Sequence, residues 1–121
     1  MEISNLRMQA YINNALKQQQ EFKATIQKRH IEGLSVARRG AQILKEQFGA
    51  ERVVLFGSML QAERIHPHSD VDLAVWGMDE KLYFKAVSRL QDINPDFRVD
   101  LVEALSAKAY IFSAIEQGVP L

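Results

Sequence analysis

Val53-Val54-Leu55-Phe56-Gly57-Ser58, followed by Ser69-Asp70-Val71-Asp72-Leu73-Ala74-Val75, decides how the chain reads. The first stretch is β-branched and aromatic, too short for a stable helix, and stops at Gly-Ser. That pattern predicts a buried strand running into a tight turn. The second stretch is another apolar run, interrupted by Asp72. Side chains alternate across a strand, so Asp70 and Asp72 share one face while Val71 and Leu73 share the other.

Two carboxylates on one face repel unless a positive charge sits between them. A hard divalent cation suits them, because Mg²⁺ takes one or two carboxylates and fills its remaining positions with water and phosphate oxygens. Gly57-Ser58 offers the complementary half. A glycine turn lets backbone approach a phosphate, the N–H groups of a following turn face the anion, and the serine hydroxyl adds a donor. Phe97-Arg98-Val99-Asp100-Leu101-Val102 is a third strand-like run carrying one acid. Paired beside the Asp70–Asp72 strand, it brings Asp100 to the other two. Three carboxylates can hold two metals roughly 3.5–4 Å apart. The alternative for Asp100 is a salt bridge with Arg98, two residues away on the same face.

Leu55-Phe56-Gly57-Ser58, Ser69-Asp70-Val71-Asp72-Leu73 and Val99-Asp100-Leu101, in that order, resemble the minimal nucleotidyltransferases of the DNA polymerase β superfamily. The tail Ala114-Ile115-Glu116-Gln117-Gly118-Val119-Pro120-Leu121 is similar to the end of such domains, so the resemblance spans about Arg39 to Leu121. It implies an α+β nucleotidyltransferase fold, with a small mixed sheet of three to four strands flanked by helices. It implies transfer of AMP from ATP to an acceptor hydroxyl with two Mg²⁺ ions. Asp70 and Asp72 would bind both metals, and Asp100 would bind the catalytic one and help deprotonate the acceptor. Gly57 and Ser58 would hold the β- and γ-phosphates. Many minimal members are antitoxins of HEPN-type ribonuclease toxins, so a helical HEPN partner is expected, silenced by adenylylation, by capping, or by both. The chain departs from a common family form in which arginine closely follows Gly-Ser; Met59-Leu60-Gln61-Ala62 fill those places. Arg64 is then the residue expected to swing toward the phosphates, against the alternative of a solvated surface arginine.

The 121 residues make one domain by size, and the absence of cysteine rules out disulfides and thiolate metal sites. Fifteen Lys+Arg balance fifteen Asp+Glu, so no global basic field gathers nucleic acid, and direct nucleic-acid binding is not expected. No apolar run approaches the ~20 residues of a membrane span. The opening Met-Glu-Ile-Ser-Asn-Leu-Arg lacks the layout of a signal peptide, so the default location is cytoplasmic.

Residues 1 to about 47 contain no proline and are rich in helix formers. They read either as one long helix or as two parting near Gly33, and Gly49 suits the helix end. The division expected is residues 1–33 as a helical extension and 34–121 as the nucleotidyltransferase domain. Leu6, Tyr11, Ile12, Leu16, Phe22 and Ile26 on the extension either reach for a second chain or fold back on the domain's own core. A homodimer through this helix is the expectation for a single purified chain. Downstream, the order is a strand at Glu51–Phe56, a short helix from Met59 to Glu63, a strand at Val71–Trp76 and a helix from Glu80 to Asp92 capped by Asp79. A strand at Phe97–Val102 and a helix from Ala107 to Gln117 follow, the latter capped by Ser106 with Tyr110, Ile111, Ala114 and Ile115 inward. Ser69 reads as a loop hydroxyl that orients Asp70 beside the cofactor. His66 and His68, around Pro67, read as exposed loop histidines rather than zinc ligands.

Two functions are compatible with these residues. One is a Mg²⁺-dependent nucleotidyltransferase that acts as an antitoxin by modifying a protein hydroxyl. The other is a catalytically weak or inactive module of the same fold that neutralises a helical partner by binding alone.

Overall fold

The computed structural model describes residues 2–121, with side chains from Ser4 onward; Met1 lies outside the described residues. Glu2–Phe48 form one continuous helix, α1, which crosses Gly33 without a break. At about 1.5 Å per residue it is about 70 Å long. Its two parts differ in burial. Residues 4–25 are exposed on every side, whereas Ile26, Val36, Ala37, Ala41, Ile43, Leu44 and Phe48 join the core. The extension therefore projects from the domain rather than folding back on it. Gly33 and Gly40 are buried in the packed part. A Cβ at Gly33 would overlap the Met59 thioether, and one at Gly40 would press on Leu73, so the glycines let the helix sit close. Gly49, at φ 71°, ends the helix, and the Ala50 N–H returns to the Leu44 carbonyl.

Four strands follow: β1 (Arg52–Phe56), β2 (Val71–Trp76), β3 (Val99–Glu103) and β4 (Val119–Pro120). They form one mixed sheet in the order β3-β2-β1-β4. β1 runs antiparallel to β2 and β4, while β2 and β3 are parallel. The parallel pair needs a crossover, which contains helix α2 (Tyr83–Gln91). Helix α3 (Ala109–Glu116) precedes β4. The inner face of the sheet carries Val53, Leu55, Val71, Leu73, Val75, Val99 and Leu101 in the core shared with α1 and α2. The outer face carries a smaller cluster, Val54, Phe56, Ala74, Ala104 and Ile115, with Trp76, Val102 and Ile111 packed on it. α2 also protects the open edge of β3. The Tyr83 hydroxyl donates to the Leu101 carbonyl at 2.7 Å, and the Gln91 amide both donates to the Val99 carbonyl and accepts from the Val99 N–H.

Local details differ from the sequence expectations for identifiable reasons. The short helix after Gly57-Ser58 is two 3₁₀ turns, Gly57–Leu60 and Ala62–Arg64, because Met59 is drawn under Gly33 of α1. The helix expected from Glu80 opens as a 3₁₀ turn, with Asp79 accepting from the Lys81 N–H at its start, and becomes α-helical at Tyr83. Ser106 does not cap the last helix. Ala104–Ser106 form a 3₁₀ turn of their own, and α3 starts after Lys108. Tyr110 and Ala114 face outward, since this short helix covers only one strip of the sheet with Ile111 and Ile115.

Candidate functional site

Parallel pairing brings the three acids together. The β2–β3 register sets Val71 beside Val99 and Asp72 beside Asp100. The core-facing valines and leucines settle this register, and alternation then sends Asp70, Asp72, Arg98 and Asp100 to the outer face. There they border the apolar cluster under α3, whose Phe56 lies opposite Asp72. Burial together with the charges of Asp100 and Asp70 pushes the Asp72 carboxyl up to about 6, against the opposing pull of Arg98. Asp100 is tied to Arg98, whose Nε donates to Asp100 Oδ1 at 3.0 Å. The salt bridge allowed by the sequence is thus present. The arginine end is 74% exposed, so the tie is a weak one that a stronger cation can replace.

Gly57 completes the arrangement from the other side. β1 is antiparallel to β2, with Phe56 opposite Asp72, so the turn after β1 begins next to that carboxylate. Gly57 has φ 82°, a left-handed conformation that favours glycine. A Cβ there would also run into the Asp72 carboxylate, so the missing side chain keeps open the space in front of it. Ser58 follows on the same turn, half-buried, and Met59 anchors the turn into the core with no exposure. Three carboxylates facing a bare backbone turn form an oxygen-donor set suited to a hard divalent cation carrying a phosphate. Among the described residues no three His, Asp or Glu side chains are gathered tightly enough to hold an ion as they stand. Asp72 and Asp100 lie within hydrogen-bonding reach of each other, while Arg98 occupies one oxygen of Asp100.

Other expected residues lie further out. Ser69 is buried at 1% exposure, and its hydroxyl accepts from the His66 N–H at 2.9 Å, which commits that oxygen to the loop before β2. Arg64 is exposed on the second 3₁₀ turn, and His66 and His68 are exposed in the loop. Trp76 lies at the far end of β2, covered by the Arg52 guanidinium at 4.5 Å. A polar cleft of about 400 Å³ adjoins Asp70, with Arg29, His68 and Arg98 among its walls. Sequence reasoning missed Arg29, which comes from α1 to donate to the Ser69 and Asp96 carbonyls, and Gln91, which secures β3. No local pattern marks either residue, since the side chains bond backbone atoms, and those of Arg29 lie 40 and 67 residues away.

The family model described as "Polymerase beta, Nucleotidyltransferase" matches residues 40–121, which include the Gly-Ser turn and all three acids. The chain belongs to the polymerase beta nucleotidyltransferase family. No curated protein matches it. Among solved structures, a chain of the crystal structure of the toxin-antitoxin MntA-HepT is similar, with a TM-score of 0.53 and 21% identity over 72% of this chain and 69% of that one. A chain of a crystal structure of the toxin-antitoxin with AMP-PNP is similar at 25% identity and a TM-score of 0.53. That match covers 67% of this chain and 66% of the other, so this chain spans about two thirds of the length of that relative. The nucleotidyltransferase fold with its mixed sheet is as the sequence resemblance implied, and the long N-terminal helix is as the composition predicted. Among the described residues no helix is long and apolar enough to cross a membrane.

Proposed function

We propose that this protein is a Mg²⁺-dependent nucleotidyltransferase that transfers AMP from ATP to a hydroxyl group of a protein and serves as the antitoxin of a helical HEPN-type toxin in the cytoplasm. The observation that supports this reading best is the meeting of Asp70, Asp72 and Asp100 in front of the open Gly57 turn. The similarity to toxin–antitoxin complexes, one of them with AMP-PNP, supports the partner and the nucleotide. Asp70, Asp72 and Asp100 would hold two Mg²⁺ ions. Bound Mg²⁺ would supply charge neutralisation on the triphosphate and the attacking oxygen. Gly57 and Ser58 would present backbone N–H groups and a hydroxyl to the β- and γ-phosphates. Asp100, freed from Arg98, would take the proton of the acceptor hydroxyl on a carboxylate oxygen. Arg64 and Ser69 would act from the rim, Arg64 by turning toward the phosphates and Ser69 by fixing the loop that delivers Asp70. As in other phosphoryl-type transfers, positioning and charge neutralisation carry the rate.

Neutralisation by binding alone is favoured by a different observation. Leu6, Met8, Tyr11, Ile12, Leu16 and Phe22 stand exposed on α1, an apolar surface that suits a second chain. The partner could supply the acceptor through the same contact, so the two readings share a surface and differ in chemistry. Incubation with ATP, Mg²⁺ and a helical HEPN-type protein separates them. Transfer predicts pyrophosphate release and a partner heavier by one adenylyl group. A stable complex with neither product leaves binding alone as the function.

A further inference from the structure

We infer that Arg29, on α1, is a positioning residue that locks the entries of β2 and β3 together and thereby sets the spacing of Asp70, Asp72 and Asp100. Its Nη2 donates to the Ser69 carbonyl at 2.9 Å and to the Asp96 carbonyl at 3.0 Å. Ser69 immediately precedes Asp70, and Asp96 lies two residues before Arg98, the partner of Asp100. One nitrogen thus joins the two loops that launch the acid-bearing strands. The guanidinium lies 4.1 Å from the centre of the Phe97 ring, a buried aromatic at 3% exposure, which holds its plane in place.

The clamp is needed because of topology. β2 and β3 are parallel, so no tight turn ties their starting ends, and the chain travels through α2 between them. Those same ends carry the mutually repelling carboxylates, which work to spread the strands apart. The ladder bond from the Val71 N–H to the Arg98 carbonyl and the two Arg29 bonds resist that spreading. Arg29 does so at a cost, for its Nε is buried without an acceptor. Lysine cannot fully take its place, since an ammonium has no planar face to lie on Phe97.

The inference rests on the metal–nucleotide reading of the acids, and its test separates the two. Amide hydrogen exchange is measured on the parent, Arg29→Ala and Arg29→Lys, with Arg39→Ala, an exposed arginine on the same helix, as control. Arg29→Ala should speed exchange in residues 69–72 and 97–100 and leave β1 and β4 unchanged. Affinity for Mg²⁺ with a non-hydrolysable ATP analogue, titrated by calorimetry well below the unfolding temperature, should fall about 10-fold or more, as for other groups that orient metal ligands. Arg29→Lys should recover only part of that loss, and Arg39→Ala should match the parent. Unchanged exchange in the two loops overturns the clamp. Faster exchange with unchanged affinity overturns the positioning role and leaves Arg29 as a docking contact. A parent chain that binds no Mg²⁺–nucleotide overturns the proposed function, and the exchange result still decides whether Arg29 holds the loops.

Discussion

The outer face of the sheet has two ends that obey opposite rules. At one, Val54, Ala74 and Val102 lie beneath Ile111 and Ile115 of α3, and the chain stabilises itself by removing apolar surface from water. At the other, Asp72 and Asp100 occupy the next outward positions on the same two strands. Two residues along a strand is only about 7 Å. Within that distance the face changes from a dry cluster to like charges with a bare glycine turn in front of them. The acids sit at the border of that cluster, with its Phe56 directly opposite Asp72, and they are half-buried rather than dry. A half-buried carboxyl forced up to about 6 does not stabilise a fold on its own, in contrast to the covered end.

The contrast is sharpest if ligand binding and stability respond to opposite ends. Replacing Asp70 and Asp72 together with Asn should reduce Mg²⁺-dependent nucleotide binding by about 100-fold or more, since two charge-assisted contacts of about 1.5–3 kcal/mol each are lost. Circular dichroism should show the fold intact. Unchanged calorimetric affinity would break the comparison by showing that the acids hold no metal.

Next in size is the covered end. Ile115→Ala should cost about 2–4 kcal/mol in urea unfolding, because Ile115 is 3% exposed and its removal leaves a cavity under α3. Nucleotide affinity should be untouched at temperatures where the variant is folded. A comparable loss of affinity would mean that the two ends are one cooperative unit.

Gly57→Ala sits at the boundary between the two ends. At φ 82° an L side chain is strained by about 1–3 kcal/mol, and its Cβ meets the Asp72 carboxylate. This variant should lose both stability and nucleotide affinity, and retention of both would reduce the turn to a plain connector.

The smallest effect has the opposite sign. The Asp72 carboxyl is raised from 3.8 to about 6, so the folded state binds its proton more tightly than the unfolded state. That contribution is complete below about pH 4 and is lost as pH rises through about 6. Without metal, Asp72→Asn should therefore be more stable than the parent above pH 6. After allowance for solvent screening the gain should be about 1–2 kcal/mol, shrinking to nothing near pH 4. A gain that persists at pH 4 would trace to packing rather than charge.

Much of this contrast could be read from the chain. Alternation placed Asp70 and Asp72 together because the period of a strand is two, and the third acid followed from its similar apolar setting. The end of α1 at Gly49 was equally legible. Other features were hidden. β4 is only Val119–Pro120, too short for a periodic signal, and exists as a strand because β1 offers it an open edge. The turn after Gly57 tightened into 3₁₀ form because of Met59 and Gly33, residues 26 positions apart whose fit no local window reveals.

The sequence by itself determined which residues face which way, because helix and strand periods are properties of the backbone. It determined the family, because side-chain type travels with the motif. Only the tertiary structure decided that α1 is a single rod with one end bare, that Arg98 holds Asp100, and that Arg29 joins the entries of β2 and β3. Those outcomes depend on backbone carbonyls and side chains that meet across up to 67 residues of chain, where many pairings satisfy the same local pattern and packing selects one.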